Sequence, residues 1–125
     1  MSGKHILVID DDRAVRDAFE LALGDEGHTV RLAEDGLNGV DMARQQRPDL
    51  VFLDLKMPGM DGVETLRRLL AHDPSIKVYI VTAFAQEYMS GLAQAKQDGL
   101  RFQLAAKPLS PQQIRLVAQA ALATS

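Results

Sequence analysis

Two short apolar runs, each ending on an acid, do most to limit what this chain can become. Leu50-Val51-Phe52-Leu53 runs into Asp54, and Ile6-Leu7-Val8-Ile9 runs into Asp10-Asp11-Asp12. Brief runs rich in β-branched and aromatic residues read as strands buried on both faces, as in a parallel sheet. Neither run can continue as strand past its acid. Pro58-Gly59 and Asp61-Gly62 turn the chain after the first, and after the second the acids open a helix with Asp12 at its N-cap. An acid at the carboxyl end of a central parallel strand lies where open α/β sheets place their chemistry. The plainer alternative is that Asp54 only caps a turn.

The same alternation fills the rest of the chain. Val15, Ala18, Phe19 and Ala22 recur at helical spacing and are predicted to face inward, with Gly24 and Gly27 stopping the helix. Residues 29–33 alternate like a half-buried strand. Glu34-Asp35-Gly36 turns into a second helix carrying Leu37, Val40 and Ala43, which ends before Pro48. Val63, Leu66 and Leu70 mark a third, closed by Asp73-Pro74. Residues 77–81 form the next strand, ending at Thr82-Ala83. A polar helix over 86–97 is predicted to turn Met89, Leu92 and Ala93 inward, and Asp98-Gly99 stops it. A last strand spans 100–106 and ends on Lys107-Pro108. Ser110 at N-cap, Pro111 at N1 and Gln113 at N3 start the final helix, whose stripe is Ile114, Val117, Ala118, Ala121 and Leu122. Five βα units in succession imply a doubly wound five-stranded parallel sheet with helices on both faces.

Length and charge narrow the function classes. A chain of 125 residues suggests one domain, spanning 1–125, able to bury roughly two-thirds of its unfolded surface. A formal charge of −3 leaves no electrostatic footprint for direct nucleic-acid binding or for an anionic membrane. Without cysteine, disulfides and thiolate sites are excluded. His5, His28 and His72 are scattered and read as surface or turn residues. Met1-Ser2-Gly3-Lys4 leads into a run too short for a signal peptide, and no run approaches a membrane span. A cytoplasmic location is expected.

In a parallel sheet all carboxyl ends share one edge. Asp10-Asp11, Asp54, Thr82 and Lys107 close four of the five predicted strands and therefore converge, although each is a weak signal alone. Carboxylates packed together raise one another's pKa unless a cation sits among them, and hard oxygen ligands of this kind suit Mg²⁺. Lys107 adds a positive charge and Thr82 a hydroxyl. Such a set can seat a phosphoryl group in transfer, with Asp54 as the nucleophile that forms an acyl phosphate.

Four motifs in order, Ile6-Leu7-Val8-Ile9-Asp10-Asp11-Asp12, the run from Asp54 through Lys56, Met57-Pro58-Gly59 to Gly62, Val81-Thr82-Ala83 and Lys107-Pro108, resemble the receiver domain of two-component response regulators. The resemblance covers nearly the whole chain. It implies the flavodoxin-like receiver fold with strand order 2-1-3-4-5, an order for which receiver proteins are a standard example. It implies Asp54 as phosphoacceptor, charged from a phosphohistidine on a sensor histidine kinase or histidine phosphotransfer protein. Asp11 would bind Mg²⁺ directly and Asp10 mainly through water, with Asp54 and the backbone carbonyl of Lys56 as further ligands. Thr82 would bond the phosphoryl oxygen and Lys107 would pair with it, and the Lys107-Pro108 bond would be cis. Such a domain accepts a phosphoryl group and is not a turnover enzyme.

The chain departs from that family pattern on its later half. Leu104 occupies the position, three before Lys107, where receivers carry an aromatic residue, and Phe102 is out of register. The stretch from Thr82 to Gly99 is about two residues longer than usual, and that from Gly99 to Lys107 about one. The fourth helix and fifth strand are thus where this protein should be unusual. Lys56 and Phe84 hold positions that tune phosphoryl lifetime in the family. Leu116, off the main stripe of the last helix, is a candidate exposed contact. A homodimer through the face made by the fourth helix, last strand and last helix would suit the family. So would a downstream protein target, or an output domain if this is an excised piece rather than a stand-alone receiver.

Three rivals share parts of the pattern. Asp10-Asp11-Asp12-Arg13-Ala14 resembles the start of haloacid-dehalogenase-type enzymes, but Ala14 replaces their Thr or Val, and no acid follows Asp98 to complete their metal site. A flavodoxin-like cofactor binder needs a Ser/Thr/Gly-rich phosphate loop where this chain has three acids. A receiver that keeps the fold and interacts without phosphorylation is a non-catalytic alternative, although nothing in the sequence removes a required group.

Overall fold

The computed structural model describes residues 3–123; Met1 and Ser2, from the stretch read as preceding a run too short for a signal peptide, and Thr124 and Ser125 lie outside them. Its elements run β1 (His5–Ile9), α1 (Arg13–Gly24), β2 (Thr29–Ala33), α2 (Gly36–Gln45), β3 (Leu50–Leu53), α3 (Gly62–His72), β4 (Lys77–Thr82), a short 3-10 turn (Ala85–Tyr88), α4 (Met89–Gln97), β5 (Gln103–Ala106) and α5 (Pro111–Ala123). The five strands form one parallel sheet in the order β2-β1-β3-β4-β5, as expected.

Alternation along the strands divides the core in two. Leu7 and Ile9, Val51 and Leu53, and Val78 and Ile80 pack under α2, α3 and α4, against Val40, Ala43, Leu66, Leu69, Leu92 and Ala95. Ile6, Val8, Leu50, Phe52 and Val81 point to the other face, where α1 and α5 supply Phe19, Leu23, Ile114 and Ala118. Phe52 and Phe19 meet with ring centroids 4.9 Å apart at 59°. Burying a side chain of that size contributes roughly 2–3 kcal/mol. All four residues of β3 are buried, which explains why the continuous apolar run reads as a central strand.

Helix starts follow local chemistry. Asp12, Asp35 and Asp61 cap α1, α2 and α3 by accepting from Ala14, Asn38 and Glu64 N–H groups. Ser110 and Gln113 exchange hydrogen bonds of 2.8 and 3.1 Å, the capping box expected for α5. The stripe of α5 packs on the sheet as read from the sequence, and Leu116 is exposed.

Several inward-facing assignments do not hold. Ala18 and Leu37 are exposed; Leu23 takes the inner place on α1, while α2 packs through Val40, Ala43 and the close approach of Gly39 to Ile9. The fourth helix begins at Met89, not Gln86, because the preceding residues wind as the tighter 3-10 turn. Within α4, Leu92 faces inward as expected, joined by Ala95, while Met89 and Ala93 face solvent. β5 starts three residues later than expected, at Gln103. Among the described residues, no helix is long and apolar enough to cross a membrane.

Candidate functional site

The carboxyl ends of β1, β3, β4 and β5 bring Asp10, Asp11, Asp54, Thr82 and Lys107 to one edge, as the strand-end pattern requires. Register fixes this meeting. Ile9 lies beside Leu53, and the Asp54 N–H continues the ladder to the Ile9 carbonyl at 2.9 Å. Thr82 pairs with Ala106, and the Lys107 N–H donates to the Thr82 carbonyl at 3.0 Å. The Lys107-Pro108 peptide bond is cis.

Asp54 is 5% exposed, and its two carboxylate oxygens are differently engaged. Oδ1 accepts from the Leu55 N–H at 2.9 Å, while Oδ2 lies 3.6 Å from Lys107 Nζ. Asp10 is also buried. Its Oδ1 accepts from the Asp12 N–H at 2.9 Å, and its Oδ2 pairs with Lys107 Nζ at 2.7 Å. Asp11 is exposed. Oxygens of Asp10, Asp11 and Asp54 all lie within 4.8 Å of one another.

Burial raises the pKa of Asp54, and the charge of Asp10 adds to the rise; Lys107 and the Leu55 N–H pull the other way without reversing it. For Lys107 burial opposes the charged form, yet the hydrogen bond and charge of Asp10, followed by the charge of Asp54, hold its pKa above the ordinary lysine value. One ammonium thus answers three carboxylates. The donor set is hard, anionic and short of positive charge, which suits a divalent cation such as Mg²⁺. Asp10 has both oxygens already bonded, whereas Asp11 turns to solvent.

Thr82 is buried, and its Oγ1 accepts from the Phe84 N–H at 3.0 Å. Its hydroxyl proton is left to donate elsewhere. Leu104 on β5 is 42% exposed, whereas Phe102, just before the strand, is buried in the core with Lys96 Nζ 5.2 Å from its ring centroid. The two line a groove of about 430 Å³ against α4.

Two participants escaped the sequence reading. Arg16 donates to the Asp10 carbonyl at 2.8 Å, steadying the acidic loop from the first turn of α1; its only signal was its position four residues after the Asp12 cap. Glu87 reaches back to Lys56 Nζ at 3.1 Å, and no motif marked it.

Residues 6–119 match the response regulator receiver domain family. Sporulation initiation phosphotransferase F of Bacillus subtilis is 36% identical over 115 residues, 92% of this chain and 90% of that protein. Response regulator MprA of Mycobacterium avium is 39% identical over 97 residues, 76% of this chain but only 42% of that protein. A CheY-like receiver domain protein from Methanospirillum hungatei superposes with a TM-score of 0.88 at 27% identity, covering 98% of this chain and 95% of that one. The receiver domain of NtrX from Brucella abortus superposes at 0.81 with 31% identity, covering 96% and 99%. Fold, strand-end residues and relatives agree: the chain belongs to the response regulator receiver domain family of two-component signalling.

Proposed function

We propose that Asp54 accepts a phosphoryl group from a phosphohistidine of a sensor histidine kinase or histidine phosphotransfer protein. The carrying observation is the asymmetry of Asp54: Oδ1 is tied to the Leu55 N–H, which leaves Oδ2, beside Lys107, as the attacking atom. The phosphorus–nitrogen bond breaks as the phosphorus–oxygen bond forms. Its electron pair returns to the imidazole, which leaves neutral while protonated at its other nitrogen. Lys107 balances charge on the phosphoryl oxygens, and Thr82 donates its hydroxyl to one of them. Asp10, Asp11, Asp54 and the Lys56 carbonyl would hold Mg²⁺, which when bound neutralises charge on the transferring group. The domain is a switch charged once per event, not a turnover enzyme, and acts in the cytoplasm on a downstream protein or an attached output domain.

Met89, Leu104 and Leu116 are exposed apolar side chains on α4, β5 and α5, which supports a homodimer through that face. Sedimentation with and without phosphodonor tests it, with a monomer in both states counting against it.

The direct test is intact mass after incubation with phosphoramidate and Mg²⁺. One phosphoryl group should be gained, and lost in Asp54→Ala and when the metal is chelated. No gain, or an equal gain in Asp54→Ala, overturns the assignment.

A further inference from the structure

The β3–α3 and β4–α4 loops are joined across the site by side chains that the phosphoryl chemistry does not use. Lys56 Nζ lies 3.1 Å from Glu87 Oε1 and 4.4 Å from the centroid of the Phe84 ring. Lys56 is two residues past Asp54, and Phe84 is two past Thr82. The Phe84 N–H is bonded to Thr82 Oγ1, and its carbonyl accepts from the Glu87 N–H at 3.1 Å. One chain of contacts therefore runs from the acid pocket to the 3-10 turn.

Beyond these contacts, the turn is anchored by Tyr88, which packs half-buried against the core. None of Ala85–Tyr88 is fully buried, and neither the turn nor α4 has a side-chain N-cap. Within α4 only Leu92 and Ala95 are buried. β5, for its part, presents Leu104 half-exposed and no ring that could swing between two positions.

We propose that Lys56, Phe84 and Glu87 form a clasp which phosphorylation opens, so that the charge on Lys56, not an aromatic residue of β5, carries the signal to α4. The inference rests on Asp54 being the phosphoacceptor. Phosphorylation replaces a singly charged carboxylate with a group of charge about −2. Lys107 is already held by Asp10 at 2.7 Å, whereas Lys56 is engaged in an ion pair half-open to water, the weak kind, and in its contact with the Phe84 ring. Its ammonium rides on a flexible stem from the same loop as Asp54. Drawn to the phosphoryl oxygens, it leaves Glu87 without its partner and Phe84 without its cation, and the turn and first part of α4 loosen.

Amide hydrogen exchange over residues 85–92 of the full chain reads the clasp, with intact mass measured in parallel. In unphosphorylated protein, Glu87→Gln should exchange there faster than wild type by up to about fivefold, the size expected from losing one exposed ion pair. Exchanging the charges (Lys56→Glu with Glu87→Lys) should restore protection. Phosphoramidate with Mg²⁺ should raise wild-type exchange by a similar factor and change Glu87→Gln little, although both gain the phosphoryl group. Equal exchange in unphosphorylated wild type and Glu87→Gln overturns the clasp. Unchanged or slower exchange in phosphorylated wild type overturns its release. Absence of any mass gain overturns the assignment of Asp54 and the release with it, while the unphosphorylated comparison still decides whether the clasp exists.

Discussion

Replacing Asp54 by Asn should make the metal-free protein more stable, although it removes the central group of the site. Asp54 shares a space of 4.8 Å with oxygens of Asp10 and Asp11 and faces a single ammonium at 3.6 Å. At an effective dielectric constant near 20, each acid repels it by roughly 3.5 kcal/mol or more at that separation, and Lys107 attracts it by roughly 4.6 kcal/mol. Asp11 is exposed, so its share is screened. Burial of the charge adds a further cost, in keeping with the raised pKa. Asn keeps an oxygen for the Leu55 N–H and sheds the charge. The net gain at pH 7 should be about 1–2 kcal/mol, or about 3–8 °C in Tm. The sign with pH comes from linkage. A carboxyl whose folded pKa is raised destabilises the fold above that pKa, and the cost disappears as pH falls through it. Thermal or urea unfolding in chelator should therefore show the widest gap between variant and wild type at neutral pH, closing on acidification. A variant no more stable than wild type at pH 7, or a gap indifferent to acid, would refute the charge balance drawn for the pocket.

Mg²⁺ at ten times its Kd should stabilise the wild type by about 1.4 kcal/mol, and Asp11→Asn should abolish most of that gain in a melting titration. Lys107→Met leaves Asp10 and Asp54 without their counter-charge and should cost about 3 kcal/mol, measured by urea unfolding in chelator. At Gly62 an added Cβ would meet the Asp54 carbonyl and lie 2.5 Å from Leu55 Cα; Gly62→Ala should lose about 1–3 kcal/mol and slow phosphorylation by small donors. Ser110→Ala breaks the capping box of α5 at a cost of about 1 kcal/mol, and phosphorylation should be unaffected.

How much could be read from the residues depended on how many constraints each position carried. β1 and β3 are buried on both faces and end on acids, so composition, position and chemistry pointed the same way. Asp10, Asp54, Thr82 and Lys107 needed only the parallel sheet to be brought together. Leu37 and Met89 were misread because an apolar residue at helical spacing can still lie on the solvent side of its helix. The 3-10 turn before α4 displaced the helix start from Gln86 to Met89, and no Pro or Gly announced it. Glu87 was invisible for another reason. An acid on a polar segment carries no signal until a lysine from a distant loop is seen to reach it.

The hydrogen bond from the Lys107 N–H to the Thr82 carbonyl has a mechanical meaning. The two side chains proposed to grip the phosphoryl group are rungs of one ladder, so a pull on either is felt by the other's backbone. β5 is an edge strand, paired on one side only by β4, and is held by one ladder where a central strand is held by two. Substitutions in β5 that never touch the acids, at Gln103 or Ala105 for instance, would set the resting position of Lys107 as surely as a change at the site itself. The edge of the sheet is where this domain can be tuned without altering its chemistry.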